Sequence, residues 1–453
     1  LSMPFTMAIK DYHEHNRRGN YVAWDYGYNL LNSCEPNGIL FTNGDNDTFP
    51  LWYLQEVENI RKDVRVVNLS LLNTPWYIDQ LKNQEPKINI NLKDEYIEKL
   101  DPINGTALAL EQWTQNWDEL KNKLSAYFIQ ELKQQYSVSE HGIPIEWGPA
   151  EANLTLYNKK INLKINPTIS NYLKVQDIMI LKILDDLEID RPIYFAVTVA
   201  PSNRIGLEKY MEMEGLVYKI TTKESTGPDV SPRINFDKMN FNITEANDYS
   251  IKIKTKNDYR SYDANNNGIY RYTNLNNTDV YFNNNIIRLV QNYRSSFLQL
   301  ALEKLYSDEA SHNKKTLNLL NKMDSYFPPE IIPINDSQLD LQIGRIYAEA
   351  GDQENLKTRL NRIRNNDDLD VQTNFYLAQI YINDLKDYSN GIEVYLNMKK
   401  QYPLIPDIRY ALVEAYAQQK QLDKALIEME DWISINPNDD RAKEIIKYIK
   451  EQL

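Results

Sequence analysis

The stretch FTNGDNDTFPLWY, residues 41–53, gathers Asn43, Asp45, Asn46, Asp47 and Thr48 around Gly44 between two apolar blocks. Carboxylates at this spacing can hold a hard divalent cation, accept hydroxyl protons from a sugar, or divide acid and base work if one pKa is raised. Asn46 would serve as a neutral hydrogen-bond partner. Further polar loops could complete such a site: Asn73, Thr74 and Pro75 after one apolar run, and Pro201, Ser202, Asn203 and Arg204 after another. Asn73 and Asn203 would add neutral contacts, Arg204 a fork for an anionic group, and Trp52 and Trp76 a stacking wall. The same residues also have a structural use. Asp47 or Thr48 would cap a helix with Pro50 in its first turn, Thr74 and Pro75 would repeat that arrangement, and Gly44 would supply a positive φ. One cap needs one side chain, so Asn43, Asp45 and Asn46 are left over.

Other chemistry is poorly supported. There is no G-x-S-x-G elbow, no phosphate loop ending in G-K-[ST], no G-x-G-x-x-G and no H-E-x-x-H. A net charge of −13 argues against nucleic acid, whose phosphates need a basic surface. Cys34 stands alone, and the 4 histidines include only one close pair, His13 and His15 beside Asp11 and Glu14, as a conceivable metal clip. No cofactor is called for. No run approaches the roughly 20 apolar residues of a membrane-spanning helix.

The elements that would position these loops alternate. YVAWDYGYNLLNSC has helical spacing, NGILFT is β-rich, and FPLWYLQEVENIR repeats apolar residues at Phe49, Tyr53, Val57 and Ile60. VRVVNLSLL and TPWYIDQLKNQ continue as strand and helix, and VQDIMILKILDDL, RPIYFAVTVA, GLEKYMEME and GLVYKITT as helix, strand, helix and strand. This order predicts an α/β, Rossmann-like, mostly parallel sheet over residues 1–225, with its polar loops at the carboxyl ends of the strands. An insertion near 85–170 adds a long amphipathic helix and a hairpin turning at Asn158 to Lys160. Residues 226–295 read as an irregular connector and a helix packing on this domain.

The remainder, 296–453, reads as all-α. Tyr347, Tyr381 and Tyr416 lie 34 and 35 residues apart, and Pro403 and Pro437 lie 34 apart. That period matches tetratricopeptide-like helical hairpins, which bury a continuous core by stacking. Most of the 32 tyrosines then belong to packing.

The segments GILFTNGDNDTFPLWYLQEVENIRKDVRVVNLSLLNTPWYIDQL, RPIYFAVTVAPSNRIGLEKYMEMEGLVYKI and YRYTNLNNTDVYFNNNIIRLVQNYRSSF resemble the soluble carboxyl-terminal part of a bacterial membrane-protein family common in Bacteroidota. That family, formerly of unknown function, is similar to multi-spanning protein O-mannosyltransferases. The resemblance implies that LSMPFTMAI is the stub or exit of an upstream membrane helix and that the domain sits on the extracytoplasmic, periplasmic side. It also implies partners: the upstream membrane domain, a polypeptide acceptor at the repeats, and a sugar or lipid-linked sugar. The catalytic residue of such transferases lies in an early loop with no counterpart here, so no catalytic residue is assigned. The expected function is an accessory binding domain of a membrane-embedded glycosyltransferase. A self-sufficient carbohydrate-active enzyme using Asp45 and Asp47, or a non-catalytic scaffold, are the alternatives.

Overall fold

Short, wholly apolar runs form the centre of the first part of the chain. In the computed structural model, which describes residues 12–98, 151–166, 168, 174–188, 191–225, 231–244, 270–307, 311–364 and 369–453, Ile39, Leu40, Phe41, Ile193, Tyr194 and Phe195 are almost fully buried. Contacts divide the chain into two units, one running to Glu303 with Asn321–Pro333, the other comprising Lys304–Leu320 and Ile334–Leu453.

After a short helical turn, Tyr12–His15, the first unit contains α1 (Val22–Ser33), β1 (Ile39–Thr42), α2 (Asp45–Glu56), β2 (Arg65–Asn68) and α3 (Pro75–Asn83). It continues with the hairpin β3 (Glu151–Leu156) and β4 (Lys159–Lys164), then α4 (Val175–Asp185), β5 (Ile193–Ala196), β6 (Met211–Met213), β7 (Val217–Ile220), β8 (Arg233–Ile234) and α5 (Phe236–Thr244). The sheet order is β2-β1-β5-β7-β6-β8. β1 runs parallel to both β2 and β5, so the loops after these strands emerge at one end, as the alternating pattern predicts. β7 is antiparallel to β5 and β6, and β8 is parallel to β6. Helix α4 is buried from Val175 to Leu184, as a helix apolar all round must be. At the free edge of β2, the Tyr77 hydroxyl accepts from Asn68 N at 2.9 Å and donates to Val66 O at 3.2 Å. A side chain thus occupies backbone groups that would otherwise recruit another strand.

Several sequence expectations need correction. GLEKYMEME is no helix: it forms a 3-10 turn, Leu207–Tyr210, followed by β6, because Met211 and Met213 are buried around half-buried Glu212 with strand periodicity. The hairpin turns at Tyr157 and Asn158, both at positive φ, ahead of the predicted Asn158 to Lys160. The stretch after residue 226 is more regular than its turn residues suggest, since it supplies β8 and α5. The long helix expected near 108–136 lies outside the described residues, as do Asp11 and the His13 side chain of the conceivable metal clip. Among the described residues no three His, Cys, Asp or Glu side chains come together in a metal-holding group.

A long-range tie completes this unit. Asn29 of α1 donates from Nδ2 to Arg271 O at 2.9 Å, while its Oδ1 accepts from Arg271 N at 2.8 Å. The same Nδ2 reaches the Tyr293 hydroxyl at 2.7 Å. Asp25 accepts from Thr273 N at 2.7 Å, and Ser33 Oγ meets the Tyr270 hydroxyl at 2.5 Å. The Arg271 guanidinium lies 4.7 Å from the Trp24 ring and 4.2 Å from the Tyr28 ring. These contacts hold residues 270–273 against α1 and, through Tyr293, fix the first part of α6 (Asn284–Leu305).

The second unit is helical. Beyond α7 (His312–Tyr326) it contains α8 (Ser337–Glu349), α9 (Gln353–Arg364), α10 (Val371–Gln379, continued by a π-helical turn Ile380–Asp384), α11 (Tyr388–Gln401), α12 (Pro406–Gln418), α13 (Leu422–Ile435) and α14 (Asp440–Gln452). From α8 onward the helices pack as hairpins, α8 on α9, α10 on α11 and α12 on α13, with α11 also on α12 and α13 on α14, and Tyr347, Tyr381 and Tyr416, which set the sequence period, are buried in them. Asp336, Asp370, Asp387 and Asp439 cap helices by accepting backbone amide hydrogen bonds. The α8–α9 hairpin buries an ion pair, Asp340 to Arg359 at 2.5 Å, and the α12–α13 hairpin buries Arg409 to Glu428 at 2.6 Å, with the signs exchanged.

Three substitutions test these contacts. Asn29→Ala leaves the Arg271 peptide unsatisfied in the core and is expected to lower unfolding free energy by about 3 kcal/mol, against about 1 kcal/mol for Ser33→Ala. Asp340→Ala, which removes the buried carboxylate that pairs with Arg359 and Arg362, is expected to cost about 3–5 kcal/mol. Urea unfolding monitored by circular dichroism would check all three.

Candidate functional site

The turn from β1 into α2 is held by a buried hydroxyl network. Thr48 Oγ1 donates to Gly44 O at 2.8 Å, lies 2.8 Å from Thr42 Oγ1, and accepts from Asn68 Nδ2 at 2.8 Å. With its own proton committed to Gly44, Thr48 receives that of Thr42. Asn68 Oδ1 in turn accepts from Leu71 N at 3.0 Å, tying the β2 loop to the β1 loop. Gly44, at φ 82°, occupies the residue before the helix, a conformation costly for any side chain. The helix therefore starts at Asp45, earlier than the cap at Asp47 or Thr48 that the sequence suggests, and Pro50 lies inside it rather than in its first turn. Pro50 has no N–H, so the Asn46 carbonyl loses its partner four residues on.

This start exposes Asp45 and Asn46 and buries Asp47. All three line one cavity of about 920 Å³, together with Phe49, Pro50 and Tyr53 of the same helix. Its other walls come from Arg17, Asn20 and Tyr21, from Trp24 and Tyr26 of α1, from Thr198 after β5, and from Asn285, Arg288 and Asn292 of α6. The apolar repeat of Phe49, Tyr53 and Val57 does not face the core. Phe49 is 53% and Tyr53 41% exposed, while Leu51, Leu54 and Gln55 are buried. Gly27 makes the close approach of α1 to α2 feasible, since a Cβ there would lie 3.0 Å from Leu54 and 3.3 Å from Pro50.

Asp47 is 7% exposed, and burial raises its carboxyl above the ordinary aspartate range. The Thr198 hydroxyl and the Asn43 backbone amide oppose that rise. Thr198 Oγ1 is itself buried without a well-formed hydrogen bond, so its help is weak. Beside Asp47, the Tyr26 hydroxyl accepts from Asn292 Nδ2 at 3.1 Å. Burial first, and the Asp47 charge second, push the Tyr26 phenol well above its usual value. The cavity wall thus holds a carboxyl and a phenol that burial shifts in the same direction, each above its ordinary range.

The other predicted site residues go elsewhere. Asn43 accepts from Ser70 Oγ at 3.3 Å and is absent from the cavity wall. Asn73 exchanges hydrogen bonds with Gln176, donating to Oε1 at 2.9 Å and accepting from N at 3.0 Å, and Asn203 Oδ1 lies 3.5 Å from Gln176 Nε2. These amides bind the loop ends to α4 rather than presenting them to a ligand. Thr74 precedes α3 with Pro75 as the first helical residue, as expected, but its hydroxyl donates to Leu71 O at 2.6 Å instead of capping. Arg204 is 5% exposed, donates to Val199 O at 3.0 and 2.6 Å, and lies 4.5 Å from the Tyr218 ring. It makes no ion pair with Asp45 among the described residues. Trp52 and Trp76 line a separate groove with Arg65 and Tyr77. Nothing in the sequence marked Arg17, Asn20, Tyr26, Arg288 and Asn292 for the site: the first three lie in or before the helix that precedes the Asp-rich turn, the last two follow it far along the chain, and none carries a local signature.

The cavity thus opens at a helix start, beside the carboxyl ends of the parallel strands of an α/β domain. Residues 23–238 match the family model TMEM260-associated domain 2. No curated protein matches the chain. No helix among the described residues is long and apolar enough to cross a membrane.

The raised Asp47 carboxyl gives a signed expectation. A group whose pKa is higher in the folded state binds protons more tightly there, so it favours folding at low pH and opposes it as pH rises through the folded-state pKa. Asp47→Asn is therefore expected to raise Tm at pH 7. The advantage should shrink on acidification toward the ordinary aspartate range, and a Tm scan of both proteins across pH would read it.

Proposed function

We propose that the α/β unit is the extracytoplasmic binding domain of a membrane-embedded glycosyltransferase and that its cavity takes a hydroxyl-rich, sugar-like ligand. The observation that carries this reading is the cavity beside α2. Asp45, Asn46 and Asp47 line it together with the rings of Tyr21, Trp24, Phe49 and Tyr53. Carboxylates and amides accept and donate to sugar hydroxyls, while aromatic faces cover the apolar side of a pyranose ring. The match of residues 23–238 to a domain named for its association with TMEM260 supports the membrane context. So does the resemblance of the same stretch to the soluble part of O-mannosyltransferase-like proteins. The helical hairpins, with their 34-residue period, fit a tetratricopeptide-like stack that engages a polypeptide acceptor or another protein. In this reading the chain positions substrates and the upstream membrane domain performs the transfer.

Asp47 also favours a second reading, because a raised carboxyl next to an exposed Asp45 could serve as an acid beside a base. The two readings separate by experiment. The accessory reading expects no sugar transfer or hydrolysis by this chain alone. It also expects Asp45→Ala with Asp47→Ala to lower glycosylation by the full-length membrane protein about tenfold or more, with circular dichroism unchanged. Normal glycosylation in that double variant would remove the cavity from the function, and turnover by the isolated chain would favour the enzyme.

A further inference from the structure

The cavity has two poles of opposite charge that do not neutralise each other. Asp45 and Asp47 stand at the first turn of α2. Across the space, Arg17 and Arg288 line the same cavity beside the start of α6. Arg17 belongs to that rim because its guanidinium lies 5.6 Å from the Tyr281 ring, and neighbouring Asn20 donates to Tyr281 O at 3.1 Å. Arg288 follows one turn into α6, where Asn283 Oδ1 accepts from Ile286 N at 3.0 Å. The Arg17 guanidinium donates to the Glu14 backbone carbonyl. Among the described residues neither arginine lies within 4.0 Å of a carboxylate, and neither do Asp45 and Asp47 have a basic partner.

Arg17, Arg288 and Asp45 are exposed at the border of one cleft, where such charges ordinarily pair for little net energy. Here the aspartates stand on α2, Arg288 on α6 and Arg17 in the segment before α1, and no ion pair joins them among the described residues. The positive rim also includes the first residues of a 22-residue helix, Asn285 and Ile286, where the backbone dipole adds to the arginine charge. We propose that this cavity selects a hydroxylated ligand bearing an oxyanion, a carboxylate or a phosphate. The oxyanion sits between Arg17 and Arg288, and the hydroxyls reach Asp45 and Asn46. This rests on the sugar-binding reading and adds a charge requirement to it. The arginines act as specificity determinants, and their substitution leaves the carboxylate pole intact.

The test uses the whole chain in 150 mM salt, where the Debye length of about 8 Å screens distant charges of the acidic surface. Calorimetric titrations would compare glucose, glucuronate, glucose 6-phosphate and inorganic phosphate, each against the native protein and against Arg17→Gln with Arg288→Gln. The expected result is about tenfold tighter binding of at least one charged sugar than of glucose. The double variant should lose that preference, its affinity for the charged sugar falling about tenfold to that for glucose. Glucuronate and glucose 6-phosphate distinguish a carboxylate from a phosphate ligand. Equal affinity for glucose and both charged sugars, or a preference that survives in the double variant, overturns the charge requirement and leaves the sugar reading standing. Inorganic phosphate binding as tightly as glucose 6-phosphate also overturns the proposal, because the hydroxyls would then contribute nothing. Absence of binding by all four probes overturns both readings.

Discussion

Everything on the α6 side of the cavity depends on one side-chain amide. Asn29 closes both hydrogen bonds on the Arg271 peptide, 242 residues later, and adds a third to Tyr293. An asparagine amide has the donor and acceptor geometry of a peptide, so it can complete an extended segment as a neighbouring strand would. The alternative for that buried peptide is an unmet donor and acceptor, each costing roughly 1–3 kcal/mol. Tyr293 lies in α6 between Asn292, which reaches Tyr26, and the buried Arg294. The register of α6 against α1, and with it the placement of Arg288 and Asn292, follows from this contact.

The opposite wall rests on the turn between Thr42 and Thr48. Its hydroxyls and the Asn68 amide satisfy one another inside the protein, which lets β1 pass directly into α2 over a glycine at positive φ. Because the helix begins at Asp45, its first turn faces the cavity with one carboxylate in solvent and one buried. Had it begun at Thr48, both aspartates would belong to a loop. The difference of environment between Asp45 and Asp47 is therefore a product of backbone geometry and not of residue type.

Much of the fold was legible because burial leaves a mark on local composition. NGILFT, VRVVN and RPIYFA are short, continuous and apolar, as strands covered on both faces must be, and the loops after them do gather at one end of the sheet. Tyr347, Tyr381 and Tyr416 recur at the period of a helical hairpin because each fills the same kind of core position. Where local pattern and tertiary packing disagreed, packing prevailed. GLEKYMEME has helical composition yet forms a 3-10 turn and the strand β6, since β7 and β8 offer it ladder partners on both sides. Phe49, Tyr53 and Val57 have the spacing of a buried stripe and nevertheless face outward, because Leu51 and Leu54 hold the core side of α2.

The sequence by itself determined the order of elements around β1, β2 and β5, the positive φ at Gly44, the polar surplus of Asn43, Asp45 and Asn46, and the helical repeat. Each of these depends on neighbours within a few residues or on a fixed period. Only the tertiary structure decided which polar residues share a space. It turned Asn73, Asn203 and Arg204 into ties between loop ends, kept Asp45, Asn46 and Asp47 at a cavity, and brought Arg17 and Arg288 to its far rim. Hydrogen-bond satisfaction and burial operate on distances in space. Residues 17 and 288 become members of one site only when the chain between them has closed.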